Sequence, residues 1–184
     1  IGTCLVGSEM CIRDSRQSNR IKANKKNKII YIKGHTKQIK TLLKKEKKID
    51  TIFHFGEFSR IVKSFEHSDK CFSSNHTGTI EVVKYCSNNN IRIIYSASSS
   101  KFGNKGRDEN LSPYSWTKSK NIELIKNYSK WFNLDYEIVY FYNVYGPGQI
   151  RNGHMAAVIG IFEECYLKGK PLTCLLYTSP SPRD

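Results

Sequence analysis

"IRIIYSASSS", Ile91 to Ser100, decides how the chain reads. A short apolar run rich in isoleucine that closes in small polar residues has the signature of a buried strand. Upstream lie "KIIYIKG" (28–34) and "DTIFHFG" (50–56), two more apolar runs, each closing in glycine. Between them "TKQIKTLLKKEKK" (36–48) sets Ile39, Leu42 and Leu43 at helical spacing, with lysines on the other face. "NHTGTIEVVKYCSNN" (75–89) predicts a helix with Ile80, Val83 and Cys86 turned inward. Downstream, Ser112 is a good N-cap and Pro113 suits the first helical position. A helix therefore starts there, with Ile122, Leu124, Ile125, Tyr128 and Phe132 as its apolar face. "YEIVYFYNVYG" (136–146) is a fourth strand, apolar on both faces. Strands alternating with helices, with little polar alternation inside the strands, predict a parallel sheet covered on both sides. That is an α/β, doubly wound arrangement, and such sheets bind ligands at the carboxyl ends of their strands. Phe55-Gly56, Ser96 to Ser100 and Tyr142-Asn143 collect there.

The termini read differently. Residues 174–184 can be encoded by DNA whose complementary strand, read from its third base, encodes Leu5 to Asp14. That relation is expected of sequencing-adapter DNA flanking an insert, so residues 1–15 and 174–184 are set aside as a fusion scar would be. Arg16 to Thr173 then carries the protein sequence, open at both ends and long enough for one core. Within it Cys71, Cys86 and Cys165 are widely spaced and lack a C-x-x-C pattern, so they read as reduced thiols of a cytoplasmic protein, with no metal. No run of about 18 apolar residues occurs, so no membrane span or membrane partner is expected. The net charge of +14 is concentrated: Arg16 to Lys48 holds 13 Lys and Arg against Glu46 alone. A basic run can bind phosphates, which keeps a nucleic-acid-binding module among the alternatives. Tyr31 is its one aromatic, however, so it lacks a stacking platform. A solvated lysine surface is the favoured reading, and nucleic acid the disfavoured partner.

Tyr-x-x-x-Lys occurs twice, as Tyr114/Lys118 and Tyr166/Lys170. Four residues apart on a helix is one face, where an ammonium can stabilise a neighbouring phenolate. The first pair follows a serine-ended strand, Ser98 closing the strand and the helix of Tyr114 and Lys118 coming next. Asn143 closes the strand after that. With "DTIFHFG", "NHTGT", "SASSSKFG", "YSWTK" and "YFYNVYGPG" in this order, residues 29–173 resemble the extended short-chain dehydrogenase/reductase (NAD-dependent epimerase/dehydratase) family. The branch they resemble is that of nucleotide-sugar epimerases of the UDP-glucose 4-epimerase type. Tyr166/Lys170 has no serine strand before it and drops out.

The resemblance implies a partial Rossmann-like domain over 16–148, without its first β-α-β elements, and the start of a substrate-binding domain over 149–173. It implies Ser98, Tyr114 and Lys118 as catalytic residues. Cofactor contacts are implied for His35, Thr36, Phe55, Gly56, Asn75, Tyr114, Lys118 and Phe141, and substrate contacts for Ser98, Ser99, Tyr114 and Asn143. The implied cofactor is NAD, with NADP left open, the substrate a nucleotide sugar, and the full-length protein a homodimer. A phenol has a pKa near 10, and lowering it by about three units takes roughly 4 kcal/mol of differential interaction. Lys118 and the positive nicotinamide ring would supply that. Tyr114 would then take the proton of a sugar hydroxyl as hydride leaves its carbon, Ser98 steadying the oxygen. Dehydratases of the family carry an Asp-Glu pair right after the serine or threonine position, where this chain has Ser99-Ser100, which favours an epimerase. A dehydratase, reductase or decarboxylase of the same family, and a non-catalytic relative, stay open. The Gly-rich phosphate loop and ribose-binding acid belong before Arg16, so the isolated fragment is expected to be inactive. Gly34-His35-Thr36, Glu57, Ser59 and Tyr140 depart from the family pattern and leave the adenine contacts and the sugar open.

Overall fold

A computed structural model describes residues 3–7, 30–45, 48–99, 102, 109–142, 144–153 and 156–172. They form strands β1 (Thr3–Gly7), β2 (Ile30–Gly34), β3 (Thr51–His54), β4 (Arg92–Ser98) and β5 (Tyr136–Phe141). The helices are α1 (Ile39–Leu42), α2 (Ile61–Glu66), α3 (Ser68–Cys71), α4 (Gly78–Asn88), α5 (Pro113–Phe132) and α6 (Val158–Leu167). A three-stranded sheet runs β3-β4-β5. β3 and β4 are parallel, Thr51 opposite Arg92 and His54 opposite Tyr95. The mixed α/β, Rossmann-like class expected from the sequence is the class observed.

β1 and β2 make a separate parallel pair, Thr3 opposite Ile30 and Gly7 opposite Gly34. β1 comes from the stretch set aside above. Pairing of this kind uses backbone groups alone, and an open strand edge accepts any extended segment. By contact the chain divides into two compact units, Ile1–Tyr140 and Phe141–Asp184.

In the first unit, Ile52, Ile93, Tyr95 and Ala97 of the sheet pack with Ile39, Val82, Val83, Cys86, Ile122 and Ile125 of the helices. The sheet was expected to be covered on both sides. Among the described residues β3 alternates instead, with Ile52 and His54 buried and Phe53 64% exposed. α1 packs on α4, α4 packs on α5, and α4 and α5 pack on the sheet.

Three helix readings need correction. The helix over 75–89 does not begin at Asn75: α3 runs through a wide turn at Phe72–Thr77, with π-type spacing, directly into α4. Its inward residues are Thr79, Val82, Val83 and Cys86, while Ile80 is half-buried. α5 begins as read, with the Ser112 hydroxyl accepting from Ser115 N–H at 3.0 Å and Pro113 following. Its buried face, however, is mostly polar: Ser115, Thr117, Lys118, Ser119 and Asn121 lie inward with Ile122 and Ile125, and Phe132 is exposed. Polar side chains can be buried when each finds a partner, and those partners come from α4, β4, the loop after β3, the turn at Phe72–Thr77, and Glu109 and Ser112 just before α5. Gly78 opens α4 because a Cβ there would overlap the Thr36 hydroxyl of the turn after β2.

The second unit is built around α6. Gly160 lies against the backbone of Ile150, and Glu163 accepts from Arg151 at 2.6 Å and Gln149 at 2.7 Å.

Candidate active site

The carboxyl end of β4 and the first turns of α5 bring the candidate catalytic residues into one region. Ser98 is the last residue of β4 and Ser99 follows it, both half-buried. Tyr114 sits in the first turn of α5, half-buried, and its backbone N–H donates to Ser64 Oγ of α2 at 3.3 Å. One turn on, Lys118 is buried, 6% exposed. Its ammonium donates to Ser96 O at 2.6 Å, to Ser96 Oγ at 3.3 Å and to the Glu57 carboxylate. The lysine is thereby held at the strand end that also carries Ser98.

Glu57 organises the interior of the site. Its side chain is 2% exposed. Besides Lys118 it accepts from Thr79 Oγ1 at 2.7 Å, Asn121 Nδ2 at 3.1 Å and the Tyr95 hydroxyl at 3.3 Å. The Lys118 ammonium lies 5.0 Å from the centre of the Tyr95 ring. Because the single Thr79 proton goes to Glu57, His54 must donate its Nε2–H to Thr79 Oγ1, at 2.8 Å. That fixes the neutral imidazole tautomer. Burial also lowers the His54 pKa; the Glu57 carboxylate opposes this and Lys118 adds to it. Burial likewise pushes the Tyr95 phenol well above its ordinary value, Glu57 adding to the effect, and Tyr114 is near enough to contribute.

Asn75 is fully buried and brackets the loop after β3. Its Oδ1 accepts from Phe58 N–H at 2.6 Å, and its Nδ2 donates to Phe58 O at 3.1 Å and Thr117 Oγ1 at 3.3 Å. With 0% exposure it holds the wall of the site from inside. Phe55, 48% exposed, and Gly56 follow β3 directly. His35 follows β2 and caps the next turn, its Nδ1 accepting from Lys37 N–H at 3.1 Å, and burial with Lys37 nearby lowers its pKa. Thr36 beside it is buried. Phe141 ends β5 in the second unit, 41% exposed, and Asn143 lies outside the described residues.

Glu57, Thr79, Tyr95 and Asn121 escaped the sequence reading as site residues. Glu57 had stood out only as a departure from the family pattern, and Asn121, three residues after Lys118, shares its helical face. Nothing in the one-dimensional pattern joins Glu57 to Lys118, 61 positions apart.

At the end of β4 the chain holds the Lys118 ammonium, and Ser98 closes the strand; an ammonium and a hydroxyl are donors of the kind that suit the ribose of a nicotinamide nucleotide. Among the described residues there is no cluster of three or more metal-ligating side chains, and no helix is long and apolar enough to cross a membrane.

Comparisons with known proteins agree with this fold. A curated dTDP-D-glucose 4,6-dehydratase of Dictyostelium discoideum is 27% identical over 131 residues, covering 60% of this chain and 30% of the relative. The solved UDP-N-acetylglucosamine 4-epimerase of Methanobrevibacter ruminantium superposes with a TM-score of 0.67 at 27% identity, over 77% of this chain and 48% of that one. A dTDP-glucose 4,6-dehydratase of Streptomyces venezuelae, solved with NAD bound, shares the fold with a TM-score of 0.69 at 20% identity, over 85% of this chain and 50% of its own. The chain thus spans 30% to 50% of the length of these relatives. The model of the NAD-dependent epimerase/dehydratase family matches residues 7–183, and the chain belongs to that family of enzymes.

Proposed function

We propose that the full-length protein is an NAD-dependent nucleotide-sugar epimerase in which Tyr114 is the base. The observation that carries the reading is the placement of Lys118: it lies on the same face of α5 as Tyr114, and its ammonium is held against the carboxyl end of β4, next to Ser98. When bound, NAD supplies the two-electron acceptor for the sugar carbon. Tyr114, as phenolate, takes the hydroxyl proton from that carbon's oxygen, and the same phenol returns it when the sugar is reduced again. Lys118 favours the phenolate electrostatically and offers a donor to the ribose. Ser98 hydrogen-bonds the sugar oxygen in both its hydroxyl and keto forms. Phe55, Gly56 and Asn75 form or support the cofactor side, with His35 and Thr36 toward the adenine. Phe141 and Asn143 belong to the cofactor and substrate contacts beyond β5.

The epimerase reading is supported by Ser99-Ser100, which stand where a dehydratase carries two carboxylates, and by the 27% identity to a UDP-N-acetylglucosamine 4-epimerase. A dehydratase is the second reading, favoured by the Dictyostelium relative. One assay separates them. Full-length protein incubated with nucleoside-diphosphate sugars gives an isomer of unchanged mass if it is an epimerase, and a product lighter by one water if it is a dehydratase. Tyr114→Phe is expected to abolish turnover by at least about 100-fold, the usual contribution of a general base, while NAD stays bound. Unchanged turnover in that variant sinks the mechanism.

A further inference from the structure

The interior of the site contains one charge that the base and its lysine do not require. An ammonium has three N–H donors, and those of Lys118 are taken by Glu57 Oε2, Ser96 O and Ser96 Oγ. Glu57 in turn is clamped from three elements, by Thr79 of α4, Tyr95 of β4 and Asn121 of α5. Removing one partner of a buried ion pair strands the other, so a pair of this kind is fixed in place once formed. The Lys118 ammonium therefore has one orientation, aimed at the end of β4.

We propose that Glu57 is the positioning residue of this site: it fixes the Lys118 ammonium at the carboxyl end of β4 and, as its counter-charge, sets how strongly that ammonium favours the Tyr114 phenolate. The inference rests on the reading of Tyr114 as the base. Other groups face this pair. His54 Nε2 lies 3.8 Å from Glu57, Tyr95 donates to Glu57, Cys71 Sγ is 3.8 Å from Thr117 Oγ1, and His76 is hydrogen-bonded to Asn121 at 3.1 Å. Burial keeps His54 neutral and Tyr95 and Cys71 protonated near neutral pH. Glu57 and Lys118 are then the opposed charges between which Tyr114 is tuned. The Ser96 Oγ bond is the longest of the three from Lys118, so it is the one a ribose hydroxyl replaces, with Glu57 and Ser96 O retained.

The test reads the ionisation of Tyr114 directly, as the ultraviolet tyrosinate absorbance of full-length, NAD-bound protein minus that of its Tyr114→Phe variant. Glu57→Gln keeps the shape and removes the charge, and is expected to lower the pH of Tyr114 ionisation by about one unit, as loss of a nearby negative charge does. Glu57→Asp keeps the charge and should restore the wild-type midpoint to within a few tenths of a unit. An unmoved midpoint in Glu57→Gln, with stability alone reduced, gives Glu57 a folding role and overturns the proposal. If the Gln variant does not fold, isotope-edited NMR of the wild-type lysine ammonium groups decides. Lys118 should show slowly exchanging protons both with and without NAD, and their passage to fast exchange on NAD binding overturns the proposal. If Tyr114→Phe turns over normally, the base assignment fails instead, which the NMR measurement does not depend on.

Discussion

Asn75→Ala is the perturbation whose size the structure fixes most closely. The Asn75 amide satisfies both backbone groups of Phe58, the N–H at 2.6 Å and the carbonyl at 3.1 Å. Phe58 is itself buried, so water cannot replace the amide. Each buried polar group left without a partner costs about 1–3 kcal/mol. Thr117 Oγ1 also loses a donor, but its hydroxyl keeps its own bond to Tyr114 O at 2.9 Å and its contact with Cys71 Sγ at 3.8 Å. A loss of about 3 kcal/mol follows, equivalent to a fall in Tm of roughly 10 °C for a domain of this size. The adjacent residue provides the control. Ser74 is also buried, but its hydroxyl has no hydrogen-bond partner among the described residues, so Ser74→Ala removes an unmet group and should be neutral or stabilising by up to about 1 kcal/mol. Urea unfolding of both variants and the parent, compared at equal m values, gives the two numbers. The reasoning is refuted if Asn75→Ala stays within about 0.5 kcal/mol of the parent, or if Ser74→Ala costs as much as Asn75→Ala.

Three further outcomes are expected. His54 is buried neutral with a lowered pKa, so below about pH 6.5 the unfolded chain takes up its proton first; stability should fall with pH through that region and the slope should flatten in His54→Gln, as acid titrations of the unfolding free energy would show. Cys86 has its thiol pushed up to about 12 by burial and Cys71 is raised by the same cause; mapped alkylation at neutral pH should modify half-exposed Cys165 and spare these two until the protein unfolds. Gly78→Ala drives a Cβ into the Thr36 hydroxyl and should cost about 1–3 kcal/mol of stability, recovered in part by adding Thr36→Ala; additivity of the two changes in thermal unfolding would contradict that contact.

The order of elements from 28 to 146 was legible because it rests on local signals: isoleucine-rich runs closing in glycine or serine, and a serine N-cap with proline behind it. The Tyr114/Lys118 spacing was legible for the same reason, since one helical turn is a sequence-local distance. Local signals also set the limits of that reading. α2 and α3 carry no clean apolar period, Ile61, Val62 and Phe65 being exposed, and were missed. The inward face of α5 was misjudged because Thr117, Ser119 and Asn121 carry no apolar signal, and Lys118 was read only through its spacing from Tyr114. They are buried because Glu57, Asn75 and Glu109 meet them from elsewhere in the chain. The sequence by itself determined the parallel α/β order and delivered a tyrosine and a lysine to one strand edge. Tertiary structure alone decided that the lysine is paired with Glu57 and that Asn75 braces a loop, because a buried charge or amide is stable only beside its partner, and those partners are brought together by folding rather than by spacing.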